Sequence, residues 1–195
     1  GGMPRCAYRS HGAVSVALKA TVFKADLQIA DMDRHYYQTH ALTLARHPSE
    51  TDERMMVRLL AFALYASDAL AFGKGLSADD EPALWQKDLT GAIELWLDVG
   101  LPEEREVRKA CGRANQVVII IYGRGADMWW SQNRDKLQRQ TNLTVLSLPA
   151  AGTQALVALA SRTMQVQCTI QEGLVWMTVE TGAVPIEPVT LLRST

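Results

Sequence analysis

The residues best suited to chemistry are acids. Asp79-Asp80-Glu81-Pro82 precedes a strand-like run, and Asp98 lies near the end of the next one, Ile93 to Val99. In that second run Ile93, Leu95, Leu97 and Val99 alternate with Glu94, Trp96, Asp98 and Gly100, the period of a strand with one apolar face. Thr90-Gly91 signals a turn, so the two runs are expected to fold as a hairpin with Asp98 across from about Glu81. Carboxylates brought this close repel unless a divalent cation joins them, and an all-oxygen set suits Mg²⁺ or Mn²⁺. Such an ion activates water and steadies a phosphoryl group, so Glu81 and Asp98 are the expected metal ligands. The plainer alternative is acids in water on the open face of a hairpin.

The flanking elements would position these acids. Ser49 is expected to cap a helix, with Asp52 completing a short capping box and Met56, Leu59, Leu60, Ala63 and Leu64 as its buried stripe. Glu53 sits at the start of that stripe, where it either ends in water at the helix mouth or aims into the acidic site. Pro102 opens a second helix with Glu103 and Glu104 in its first turn; Val107, Ala110, Cys111 and Ala114 face inward. Arg105, Arg108, Lys109 and Arg113 make a basic stripe opposite, either a solvated face or a phosphate contact. Val117 to Ile121 reads as a strand buried on both faces, followed by a Gly123-Arg124-Gly125 loop and a helix over 126–140 bearing Trp129 and Trp130. One tryptophan is expected in the core; the other packs under a loop, meets a partner or stacks on a base.

Elsewhere, 18–29 and 36–44 read as strands joined by a turn at Asp31-Met32-Asp33. A short strand is expected within 69–76, another over 143–148 and a short helix over 153–161. Met164, Val166, Cys168 and Ile170 alternate with polar residues, and Glu172-Gly173 turns the chain into 174–179, a hairpin; Pro185 and Pro188 suit an edge or a loose end. The order implies an α/β fold with a parallel portion.

The chain has 195 residues, 48% of them hydrophobic, enough for one sizeable core. A net charge of −1 means that any nucleic-acid surface must be local. Cys6, Cys111 and Cys168 form no CxxC pair, which argues against a disulfide framework or zinc site and fits a reducing cytoplasm. Residues 1–16 are expected to be a tag, a disordered lead or a start assigned too early, with a single domain over 17–195. No run of apolar residues is long enough for a membrane span.

Together, ALKATVFKADLQIADMDRHYY, HPSETDERMMVRLLAFAL, DDEPALWQKD, IELWLDVGLPEEREVRKACGRA and MWWSQN resemble the YaeQ family of bacteria, from about Ala17 to the C-terminus. The resemblance brings no assigned activity. It implies a compact variant of the PD-(D/E)XK, restriction-endonuclease-like fold: a mixed β-sheet flanked by helices, with additional hairpins. In that superfamily, acids from a helix and two strands hold Mg²⁺, and a lysine assists. Carried over, Glu53 is the helix acid, Asp80 or Glu81 the first strand acid and Asp98 the last. The lysine position two residues after Asp98 holds Gly100, and Lys109 on the next helix is the substitute. The resemblance therefore implies either a metal-dependent nuclease or phosphodiesterase, or an inactive relative that binds nucleic acid or protein through the same surface.

Overall fold

A computed structural model describes residues 19–74 and 80–195. The expectations for residues 1–16 and for 75–79, Asp79 among them, lie outside the described residues. The chain runs β1 (Thr21–Asp31), β2 (Tyr36–Arg46), α1 (Asp52–Tyr65), β3 (Leu70–Phe72), β4 (Leu84–Lys87), β5 (Ile93–Val99), α2 (Glu104–Arg113) and β6 (Ala114–Ile121). It continues through α3 (Ala126–Leu137), β7 (Leu143–Ser147), α4 (Ala150–Leu156), a 3-10 turn, β8 (Thr163–Gln171), β9 (Leu174–Val179), β10 (Gly182–Ile186) and β11 (Val189–Leu192). The strands form two mixed sheets, ordered β10-β9-β8-β1-β2 and β11-β7-β6-β5-β4-β3. The hairpins expected as additions to one sheet thus make a sheet of their own, closed by parallel pairing of β1 with β8.

Helices α1 and α4 lie between the sheets. One core joins Leu27, Ile29, Val166 and Met177 of the first sheet, Met56, Leu60 and Phe62 of α1, and Leu97, Val118 and Ile120 of the second. A second core, with Trp96, Val107, Ala110, Val117, Ile119 and Trp129, packs α2 and α3 on the other face of the second sheet. Two expectations change. First, the second half of β5 is covered on both faces, because Leu97 and Val99 join the core with α1 while Trp96 joins the core with α2 and α3; it is not a hairpin with one wet side. Second, α1 carries no single stripe: Met55 to Ala63 are all buried, as required of a helix packed on every side.

Burial on all sides makes the ends of α1 important. Thr51, not Ser49, is the N-cap, accepting the Arg54 N–H at 3.1 Å; Ser49 Oγ bonds His47 Nδ1 at 2.7 Å instead. No basic residue occupies the last turn, yet the C-terminus is capped from outside. Arg34, in the β1–β2 turn, donates to the carbonyls of Ala66 and Ala63 at 3.2 and 3.3 Å. Buried Asp31 fixes it, taking Arg34 Nε at 2.7 Å. Helix α4 begins at Ala150, directly after Pro149, rather than near Thr153.

The β8–β9 hairpin stands as expected, with Glu172 and Gly173 at φ 51° and 76°, the left-handed pair of a tight two-residue turn. Pro185 lies in edge strand β10, where its missing N–H costs no ladder bond.

Candidate functional site

The site is built at the carboxyl ends of β5 and β6, which run parallel. Open α/β sheets commonly bind ligands at such ends. Asp98 is the last residue but one of β5. The register pairs Leu84 with Leu97, so Asp98 lies across from Ala83, two residues beyond the expected Glu81. The shift comes from the turn. Asp88 Oδ1 gathers the Thr90 N–H, Thr90 hydroxyl and Ala92 N–H at 2.8, 2.6 and 3.0 Å, extending the loop to Ala92, and the pairing slips between Gln86 and Lys87.

Asp98 Oδ1 accepts from the Val99 N–H at 3.0 Å and the Ala83 N–H at 3.4 Å. Its side chain keeps 29% of its surface open. The surrounding protein pushes its carboxyl above the ordinary range by withdrawing water; Arg54 and the two N–H groups pull it partly back. The chain then leaves β5 through Gly100, at φ +104°, whose N–H bonds the Ile120 carbonyl at 2.9 Å. The position two residues after Asp98, where a lysine is expected, is therefore a left-handed backbone position that an L side chain rarely adopts.

The start of α1 brings charge to the same end. Buried Glu50 accepts Arg58 Nε at 2.7 Å and Nη2 at 2.8 Å, and Arg54 Nη1 at 2.8 Å. Arg54 Nη2 then points toward Asp98 Oδ1 at 4.0 Å. Tyr122, the first residue after β6, feels Arg54, Glu53 and Glu50; burial chiefly raises its phenol to about 12, so it stays a protonated donor at neutral pH. Gly123, at φ +90°, starts the turn into α3, whose N-cap Gly125 supplies no side-chain cap. Trp129, the buried tryptophan of the adjacent pair, ties α3 to the β5–α2 loop by donating Nε1 to the Pro102 carbonyl at 2.7 Å.

The expected residues are distributed as follows. Glu53 is half-buried in the first turn of α1, within electrostatic reach of Tyr122. Asp80 is exposed. Glu81 is half-buried and accepts the Lys74 N–H at 2.8 Å. Lys109 is exposed on α2, whose buried positions are Val107 and Ala110. Among the described residues, no three His, Cys, Asp or Glu side chains gather as a metal ion would need. Cys111 and Cys168 are free thiols that burial raises to about 11 and about 12, unsuited to act as nucleophiles at neutral pH.

Glu50, Arg54, Arg58 and Tyr122 escaped sequence reasoning. A signal existed: Arg58 interrupts the apolar run Met55–Ala63, and Glu50 and Arg54 precede it at spacings of eight and four. A charge inside a buried run requires a partner on the same face.

The sequence pattern of the YaeQ protein family matches residues 16–188. The chain belongs to the YaeQ family. It is 47% identical over 163 residues to the protein named "Uncharacterized protein YaeQ" in Escherichia coli (strain K12), spanning 83% of this chain and 90% of that one. The crystal structure of YaeQ protein from Xanthomonas axonopodis pv. citri superimposes with a TM-score of 0.87 at 52% identity, over 89% of this chain and 99% of that one. That from Pseudomonas syringae gives a TM-score of 0.86 at 33% identity, over 90% and 97%. The two-sheet arrangement is thus the YaeQ fold.

Proposed function

We propose that this YaeQ-family chain is a binding protein on a compact PD-(D/E)XK-like fold, and that the carboxyl ends of β5 and β6 hold a nucleic-acid backbone without cutting it. The observation that carries this reading is Arg54. Glu50 fixes its guanidinium on one side, and the other side faces Asp98 at 4.0 Å, beyond hydrogen-bond range. A fixed positive charge therefore stands beside the acid that would share a divalent cation. Two neighbouring acids are engaged as well: Glu50 gives both oxygens to guanidinium groups, and Glu81 holds the Lys74 N–H. These donors do not fit a resident Mg²⁺, which demands carboxylate oxygens at about 2.0–2.1 Å in near-octahedral array.

An anion suits the same place. Arg54 and exposed Arg124 are cationic, the Tyr122 hydroxyl stays protonated, and α3 presents the positive end of its dipole after Gly125. With the whole chain at −1, any attraction for a nucleic-acid backbone must be local.

A metal-dependent phosphodiesterase is the second reading, and Asp98 favours it. A half-open carboxyl pushed upward by burial, at the same sheet end as Glu53, is the kind of perturbed acid that active sites contain.

Fluorescence anisotropy with labelled single- and double-stranded DNA and RNA, in EDTA, tests the proposal. Binding is expected without metal, to weaken between about 50 and about 200 mM salt in proportion to the phosphates contacted. Arg124→Ala is expected to bind several-fold more weakly. No binding in EDTA overturns the proposal. Cleavage that requires Mn²⁺ and is lost in Asp98→Ala establishes the second reading in its place.

A further inference from the structure

The edges of the two sheets are treated differently. Three outer strands are blunted. β10 is short and carries Pro185, β3 is only Leu70–Phe72, and β11 follows Pro188 and slips register between Thr190 and Leu192. The fourth, β2, runs for 11 residues and pairs with β1 without a slip from Thr21–Arg46 to Asp31–Tyr36. Its sequence YYQTHALTLAR holds no Pro, Lys, Asp or Glu.

Hydrogen bonds fix which groups face outward from that edge. The Lys24 N–H bonds the Arg162 carbonyl at 2.9 Å, and the Val22 carbonyl accepts Arg162 Nε at 2.9 Å. Even residues of β1 therefore turn toward β8 and odd ones toward β2. The register pairs odd residues of β1 with even residues of β2. The N–H and C=O of Tyr37, Thr39, Ala41, Thr43 and Ala45 are thus left on the outer edge. Ala45 agrees, since its carbonyl accepts Arg58 Nη2 of α1 at 3.1 Å. That bond closes the Ala45 end and, among the described residues, leaves Tyr37 to Thr43 as the open template.

We propose that a second copy of this chain adds its own β2 there, antiparallel, about a twofold axis at His40. In that register Tyr37 pairs with Thr43 of the other copy and Thr39 with Ala41, each pair exchanging two main-chain hydrogen bonds. All four open residues are used, and Ala45 keeps Arg58. At the four hydrogen-bonded positions the opposed side chains, Tyr37 with Thr43 and Thr39 with Ala41, carry no charge; on the axis His40 faces its own copy, its Nε2 engaged by the Tyr36 hydroxyl of the same chain at 2.7 Å. Because the edge is self-complementary, the pairing closes as an isologous dimer. An extended segment of another protein has no matching constraint from this strand, so a second copy is the better-specified occupant.

Analytical ultracentrifugation of the full chain, from about 1 to about 100 μM, tests this. The wild type is expected to shift from monomer to dimer with rising concentration. Ala41→Pro removes one outward N–H and leaves the inward bonds to β1, a change that edge strands tolerate. It is expected to stay monomeric throughout with an unchanged thermal midpoint. Ala41→Lys, which places a charge on the edge, serves if the proline variant folds poorly, and is also expected to be monomeric. A wild type that stays monomeric over the whole range overturns the proposal, as does a dimer that persists in a folded variant.

Discussion

Removing Glu50 should cost this fold more than removing any surface acid. The side chains of Glu50 and Arg58 are each 2% exposed. Arg58 binds Glu50 through Nε and Nη2 and the Ala45 carbonyl through Nη2, and its guanidinium lies 5.6 Å from the centre of the Phe72 ring. Glu50→Ala strands that guanidinium in the layer between the sheets. Breaking a buried ion pair from one side costs about 3–5 kcal/mol. At about 2–4 °C per kcal/mol for a chain of this length, the melting midpoint should fall by roughly 6–20 °C. Arg54 adds little to the loss, because its side chain is 15% exposed and retains Asp98. Arg58→Ala should be milder, since Arg54 still covers Glu50. The double change Glu50→Leu with Arg58→Met removes both charges and keeps the volume. It should recover most of the stability, because a buried pair roughly breaks even against apolar groups of similar size. Urea unfolding followed by tryptophan fluorescence measures all four proteins. A Glu50→Ala variant within about 1 kcal/mol of the wild type would refute the reasoning, as would a double variant weaker than Glu50→Ala.

Three further outcomes are expected. Gly73→Ala would place a Cβ 2.0 Å from the Pro82 carbonyl oxygen, which is backbone and cannot swing aside. The cost should reach or exceed the upper end of about 1–3 kcal/mol for overpacking, and the Gly73 N–H, bonded to Ala83, should lose exchange protection. Gly100→Lys puts a lysine two residues after Asp98 but at φ +104°; it should lose about 1–2 kcal/mol in urea titration and gain no Mn²⁺-dependent cleavage. For Asp98, burial raises the carboxyl in the folded chain, so the folded state holds the proton more tightly. That stabilisation is present below the unfolded carboxylate range and is lost as pH rises through the folded pKa. Asp98→Asn cannot ionise, so its stability relative to the wild type should increase from about pH 4 to about pH 7.

Local pattern carried much of this fold, and distant pairing carried the rest. Val117 to Ile121 announced a strand covered on both faces, and the Met164–Ile170 alternation with Glu172-Gly173 announced a hairpin. The inward face of α2 also matched its spacing, with Val107 and Ala110 buried. The division into two sheets was not legible, because it depends on β1 meeting β8, Lys24 beside Thr163, and no local signal encodes that contact. Both Ser49 and Thr51 are capping types; the choice fell to Thr51 because His47 engages Ser49. At the site, Asp98 and Glu53 were legible as acids at element ends, but the partner of Asp98 was misplaced by the loop that Asp88 stabilises. Arg54 was hidden for a different reason. Helical spacing reads an arginine beside an apolar run as solvated, whereas α1 is enclosed on every side and its arginines must find carboxylates within the protein.

Nucleic-acid backbone binding at the β5–β6 end is read most directly from amide chemical shifts of the ¹⁵N-labelled chain as a short single-stranded oligonucleotide is added in EDTA. Perturbations are predicted to concentrate at Ala83, Val99, Gly100 and Tyr122 to Gly125, with the Arg54 side-chain signal moving in parallel. Shifts confined to other surfaces, or a spectrum that responds only once Mn²⁺ is supplied, would contradict it.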